Sequence, residues 1–183
     1  MQGPHTVFGS PGNLLPAGAD YGVWTDHQVP ADPNAWHPPV RRFYDYWLSV
    51  TPPGRLPGRQ HIAPEDIVAL LPRLWMCDVF RNPLRFRYRL VGTEIGRSVQ
   101  REMTGLWLDE VQPESVTNPT LRNRYRFIVE TGRPTWRRGP TLWSRDPLHC
   151  SVENCLVPLA TDGGTVDKIF AMTALFDAGG RQM

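Results

Sequence analysis

His149, Cys150 and Cys155 are the residues in this chain whose side chains most readily ligate a metal or react as thiols. Their spacing matches no ligand signature of a structural or catalytic zinc site. Cys150 and Cys155 are five apart, so on a regular strand they face opposite sides. His149 and Cys155 share a side but stand ~20 Å apart at ~3.3 Å per residue. The expectation is no metal site, with the cysteines acting as small buried hydrophobes. Glu94, Glu102 and Glu153 are isolated carboxylates with no partner identifiable from sequence, and His61, between Gln60 and Ile62, reads as a loop residue rather than a base. There is no G-x-S-x-G elbow, no P-loop and no H-E-x-x-H. No catalytic residue is assigned, and an enzyme is not expected. A related α+β enzyme would need a cavity holding a carboxylate of perturbed pKa.

A second constellation is basic. Lys168 is the only lysine, so Arg carries nearly all the positive charge. Arg85, Arg87, Arg89, Arg122, Arg124, Arg126, Arg137 and Arg138 together suggest a nucleic-acid surface, with Arg122 and Arg126 on one helical face. The formal net charge of +2 is too small to predict such a surface by itself. The segment "RFRYRLV", Arg85 to Val91, decides between the two uses of these arginines. On a strand, Phe86, Tyr88 and Leu90 lie on one face and Arg85, Arg87 and Arg89 on the other. That is a half-buried strand, apolar inward and charged outward. A single-strand-binding strip presents aromatics and arginines to the same partner instead.

The elements that position these residues follow from pattern. Residues 1–39 hold seven prolines, five glycines and only Asp20, Asp26 and Asp32 as charges. Such a segment buries too little surface to offset its ordering entropy and reads as a flexible arm. Val40, Phe43, Tyr44, Trp47 and Leu48 fall on one helical face, and Thr51-Pro52-Pro53-Gly54 stops that helix. Pro64, Glu65 and Asp66 open a second short helix with Ile67, Leu70 and Leu71 as its apolar side. Leu74–Phe80 and Arg85–Val91 form a hairpin around Arg81-Asn82-Pro83-Leu84. Asn118-Pro119 starts a longer helix with Leu121, Tyr125 and Ile128 as its buried stripe, and Gly132 caps it. Strands are predicted at Thr135–Trp143, Cys150–Leu159 and Lys168–Asp177, with Asp162-Gly163-Gly164 turning between the last two.

A chain of 183 residues with 40% hydrophobic and 21% charged residues is long enough for one real core plus an extension. Three cysteines form no disulfide framework and suit a reducing compartment. No signal peptide and no ~18-residue apolar run is present, so the protein is expected in the cytoplasm, without a membrane partner.

The order of these elements resembles a PAS domain, and more closely the small proteobacterial family of stand-alone PAS proteins, in which a helix precedes the domain. The stretches that carry the resemblance are "FYDYWLSVTPPGRLPGRQHIAPEDIVALLPRLWMCDV", "RFRYRLVGTEIG", Thr104-Gly105, "VETGRP" and "SVENCLVPLATDGGTVDKI". The resemblance implies an α+β fold: a five-stranded antiparallel sheet with helices on one face, preceded by an amphipathic N-terminal helix. It implies a division into a 1–39 arm, a 40–72 helical cap and a 73–178 sensor domain. It also implies a sensory or interaction module that binds a small ligand, a signalling protein or both, and signals through association.

Asn154-Cys155-Leu156 resembles the flavin-attachment run of light-sensing members, but it lies in a predicted strand and lacks the Arg-Phe that follows. Residues 119–131 contain no His for haem. The resemblance names no cofactor. Tyr88, Leu90, Tyr125, Ile128, Trp143 and Met172 are the candidate walls of a ligand cavity, with Asn154 as its polar orienting group. Val40, Phe43, Tyr44, Trp47 and Leu48 are the candidate dimer helix, burying against the sheet's outer face or a second copy, with a homodimer expected. No kinase, cyclase or phosphodiesterase segment follows Asp177, so no catalytic output is expected. A nucleic-acid-binding module using the surface arginines is the alternative.

Overall fold

The computed structural model describes residues 35–141, 148 and 151–183. Helix α1 spans Pro38–Ser49. A proline at its first position fits the preset φ of a helix start. Two 3-10 segments follow, Arg59–His61 and Pro64–Arg73, the second kinked at Ile67 and carrying Pro72 inside. Strand β1 (Leu74–Phe80) and strand β2 (Arg85–Val91) form the hairpin expected from sequence. Helices α2 (Thr93–Val99), α3 (Leu108–Val111), α4 (Glu114–Thr117) and α5 (Pro119–Thr131) make up the helical middle. Strands β3 (Thr135–Pro140), β4 (Ser151–Leu159) and β5 (Lys168–Phe176) complete one sheet in the order β2-β1-β5-β4-β3. Every pairing is antiparallel.

The sheet separates two apolar compartments. On one side Val40, Phe43, Tyr44 and Trp47 of α1 pack on Leu74, Met76, Cys155, Val157, Phe170 and Met172. On the other side α2–α5 bring Ile95, Leu108, Tyr125 and Ile128 against Trp75, Cys77, Phe86, Tyr88, Leu156 and Ala171. Strand alternation creates this split: neighbours such as Cys155 and Leu156, or Ala171 and Met172, enter opposite compartments. Each large side chain so buried contributes on the order of 1.5–3 kcal/mol.

Specific bonds fix α1 on its face. Trp47 donates its indole N–H to the Pro158 carbonyl at 3.0 Å. The Tyr46 hydroxyl accepts from the Ala63 N–H at 2.8 Å. At the helix entry Trp36 stacks on Trp136 with ring centres 5.5 Å apart.

Two departures from regular geometry matter for the site. Met76 pairs with Leu90 while Cys77 pairs with Tyr88, so β2 holds one extra residue at Arg89. This is a β-bulge, and it reverses the side-chain alternation beyond it. Beside β2, the Tyr88 N–H donates to Leu106 O at 2.9 Å and the Gly105 N–H donates to Tyr88 O at 2.7 Å. Arg87 and Trp107 extend that contact as an antiparallel bridge.

Helix α5 is capped as its sequence predicts. The Asn118 side-chain oxygen accepts from the Leu121 N–H at 3.4 Å. Gly132 ends the helix at φ +65°, the left-handed conformation that favours glycine.

Candidate functional site: a polar cavity between the sheet and the helical middle

Phe86 and Tyr88 are buried, while Arg87 and Arg89 meet solvent and Arg85 is half-buried. The inward aromatics therefore floor a compartment under the helices. Phe86 meets Tyr125 with ring centres 5.1 Å apart, and Trp75 meets Tyr88 edge-on at 5.9 Å. Above them is a cavity of about 30 Å³ lined by Trp75, Tyr88, Arg124, Tyr125, Arg137, Asn154 and Thr173, among others. That is room for about two water molecules.

Its polar lining forms a row across the sheet. Arg137 on β3 stands opposite Asn154 on β4, and Asn154 stands opposite Thr173 on β5. Directly opposed side chains of antiparallel strands have Cβ atoms about 5 Å apart. The row is extended by Trp75, whose indole N–H donates to the Thr173 hydroxyl at 3.0 Å. Gln112 donates to the Tyr88 hydroxyl at 3.2 Å from the helical side.

Arg124 enters from α5. Its Nε donates to the Thr135 hydroxyl at 2.8 Å, and its Nη2 reaches the carbonyl oxygens of Thr135 and Asn154 at 3.3 and 3.4 Å. Burial and the adjoining Arg137 guanidinium pull the Arg124 pKa downward. Burial pushes the Tyr88 and Tyr125 phenols upward, so both are neutral donors at neutral pH. Asn154 is only 6% exposed, yet its Oδ1 finds no hydrogen-bond partner. An unsatisfied buried acceptor costs roughly 1–3 kcal/mol and calls for an explanation.

The structure brings Tyr88, Tyr125 and Asn154 to this cavity, and Ile128 lies in the same apolar compartment. Two other candidates are placed elsewhere. Leu90 is 44% exposed, because the bulge at Arg89 turns it away from Tyr88. Met172 is fully buried but in the α1 compartment, one position out of phase with Ala171 and Thr173. Trp143 lies outside the described residues, as do His149 and Cys150. Sequence reasoning missed Arg124, Arg137, Thr173 and Trp75. The available signal was Arg124 itself, a cation inside the Leu121–Tyr125–Ile128 stripe.

The candidate dimer helix is also resolved in its orientation. Val40, Phe43, Tyr44 and Trp47 are buried within the same chain, on the outer face of the sheet, and Leu48 is exposed. The carboxylates thought isolated have partners. Glu94 pairs with Arg73 at 2.7 Å, Glu102 accepts from the Thr104 N–H at 2.9 Å, and Glu153 pairs with Arg138 at 2.5 Å. Arg124 and Arg137 are 4% and 3% exposed, which removes them from any nucleic-acid surface. His61 sits in a 3-10 turn, where its Nδ1 accepts from the Gly58 N–H at 2.9 Å. Among the described residues no helix is long and apolar enough to cross a membrane.

A five-stranded antiparallel sheet whose one face holds a partly polar cavity under short helices defines a sensor-type α+β domain. The family model described as PAS domain matches residues 35–174, and the chain belongs to that family. No curated protein matches it. Among solved structures it is similar to one described as an RNA-binding light-oxygen-voltage receptor, with 17% identity and a TM-score of 0.43. That match covers 69% of this chain and 35% of the receptor, so the chain spans about a third of its length.

Proposed function

We propose that this PAS domain is a cytoplasmic sensory and interaction module without catalytic output. It takes a small molecule into the cavity under β1, β5, β4 and β3, and it passes occupancy to a protein partner or a second copy. The observation that carries this reading is the buried, unpartnered Oδ1 of Asn154 beside that cavity. Family membership supports it, since PAS domains serve sensing and interaction.

The route for the signal is the sheet. Strands β1, β4 and β5 present alternate residues to the cavity and to α1, so a ligand that shifts them changes how α1 packs. A ligand moves such an equilibrium only by its difference in affinity for the two packings. The buried thiols of Cys77 and Cys155 suit residence in a reducing cytoplasm.

Native mass spectrometry of the full chain tests the reading directly. A retained small molecule, or a ligand-dependent change in the monomer–dimer ratio, supports it. A chain that retains nothing, and whose melting and association respond to no small molecule, rejects it. Leu48→Glu tests association through the exposed side of α1, and an unchanged dimer would rule that surface out.

The nucleic-acid alternative rests on the exposed arginines Arg87, Arg89, Arg122 and Arg126. Arg87 already lies over the Phe80 ring at 4.8 Å, Arg89 faces Asp78 at 3.5 Å, and Arg126 faces Glu130 at 3.9 Å. Steeply salt-dependent binding to random oligonucleotides would favour this alternative over the small-ligand reading.

A further inference from the structure

We infer that a second cavity, between the start of β2 and helices α3, α4 and α5, binds a short branched aliphatic monocarboxylate, its tail on Phe86 and Leu108 and its carboxylate met by Arg85 and Arg122. This site is separate from the one beside Asn154 and goes beyond the reading above. Tyr125 lines both cavities and stands as their common wall.

Three observations lead to it. The first is size. This cavity holds about 100 Å³, against about 30 Å³ beside Asn154. An apolar cavity of about 150 Å³ takes benzene, so this one has room for a tail of about four carbons.

The second is wall chemistry. Leu84, Phe86, Leu108, Val116 and Tyr125 give it an apolar lining. Phe86, Leu108 and Tyr125 are buried, while Val116 on α4 is 50% exposed at the lip. An aliphatic tail seated there removes both its own surface and that of Val116 from water.

The third is charge. The lining includes Arg85, Arg122 and Arg126 against one carboxylate, Asp109. Asp109 pairs with Arg85 at 2.9 Å, and Glu130 faces Arg126 at 3.9 Å. That leaves Arg122, one helical turn from Arg126, without a carboxylate among the described residues. The Arg85 Nε is buried and has no hydrogen-bond partner, although the Nη2 of the same guanidinium is held by Asp109. A carboxylate brings two acceptor oxygens, enough for both guanidiniums. With Asp109 and Glu130 counted, the balance around the cavity is a single positive charge, which suits a monoanion. A phosphate dianion would meet two carboxylates close by.

Calorimetric titration of the full chain with isovalerate at low salt tests the inference, with isovaleramide, acetate and octanoate as comparisons. Isovalerate is expected to bind. Isovaleramide has the same shape without the charge and is expected at least about ten-fold weaker. Acetate buries three carbons fewer and is expected roughly fifty-fold weaker. Octanoate has a longer tail than the cavity holds and is expected to bind no tighter than isovalerate. Arg122→Gln changes an exposed side chain and is expected to bring the acid and the amide to within about three-fold of each other, with amide affinity unchanged. Methyl resonances place the ligand. Leu84, Leu108 and Val116 line only this cavity, and Ile95 and Leu121 only the other. Isovalerate is expected to shift the first three.

Isovaleramide binding as tightly as isovalerate, octanoate binding more tightly, or an unchanged acid preference in Arg122→Gln would each overturn the inference. So would methyl shifts confined to Ile95 and Leu121, or no isovalerate binding at all. A chain that ignores isovalerate yet retains another small molecule beside Asn154 loses this second site and keeps the reading above.

Discussion

The backbone N–H of His37, one residue before α1, donates to Oε1 of the fully buried Glu153 at 2.7 Å. The same carboxylate accepts from the Trp136 indole at 3.0 Å and from the Arg138 Nε at 2.8 Å. One side chain on β4 thus fastens the start of α1 to β3 and β4. Glu153→Gln keeps the volume but replaces an acceptor oxygen with a donor amide facing other donors. The expected cost is about 2–4 kcal/mol of unfolding free energy, read from urea denaturation. A loss below roughly 0.5 kcal/mol would show that this clamp does not hold the helix.

Gly92 approaches the preceding segment more closely than any side chain allows. A Cβ placed there would lie 2.4 Å from the carbonyl oxygens of both Leu71 and Pro72. Those are backbone atoms, so the chain itself must move. Gly92→Ala is expected to destabilise by about 1–3 kcal/mol, seen as a lower urea midpoint at unchanged slope. Gly96, whose Cβ would meet nothing within 4 Å, is the control.

The bulge at Arg89 separates two residues that a regular strand would place together. Phe86→Ala leaves a void in the apolar compartment under the helices and is expected to cost about 3–5 kcal/mol. Leu90→Ser changes an exposed side chain and is expected to stay within about 0.5 kcal/mol. Comparable losses in the two variants would mean that the bulge is absent in solution.

Burial raises the Cys77 thiol well above its ordinary value and pushes Cys155 from 9.0 up to about 12. For a group whose folded pKa is raised, stability is fully present below the unfolded pKa and is lost as pH climbs toward the folded one. Unfolding free energy should therefore be insensitive to these thiols below about pH 8 and fall from about pH 9 upward. The slope reaches at most ~1.4 kcal/mol per pH unit for each thiol. Both thiols should also resist alkylation at pH 8 until the chain is denatured. Rapid native alkylation of Cys77 or Cys155 would contradict their burial.

Much of this architecture is legible in the residues. The β1–β2 hairpin follows from alternation around a turn, and α5 follows from Asn118, Pro119 and Gly132. These are local signals, set by backbone preference and period. Phase is less legible where both faces of a strand are apolar. In β5 every residue from Ile169 to Leu175 is buried, so alternation gives no clue that Met172 belongs with α1 and Thr173 with the cavity. A single inserted residue likewise reversed Leu90, and no pattern in "RFRYRLV" announces it. Arg137 was invisible for a different reason. In sequence it is one of an Arg-Arg pair, and only strand pleating sends Arg137 inward while Arg138 turns to Glu153.

The pairing beside Tyr88 has a consequence for how this molecule meets others. A terminal strand of an open sheet ordinarily offers a row of unspent amides and carbonyls, a template on which foreign strands polymerise. At the centre of β2 that row is already used, because Gly105 and Leu106 take both polar groups of Tyr88 and the Arg87–Trp107 bridge continues the cover. An incoming peptide therefore cannot zip along β2 without first displacing the segment that shields it.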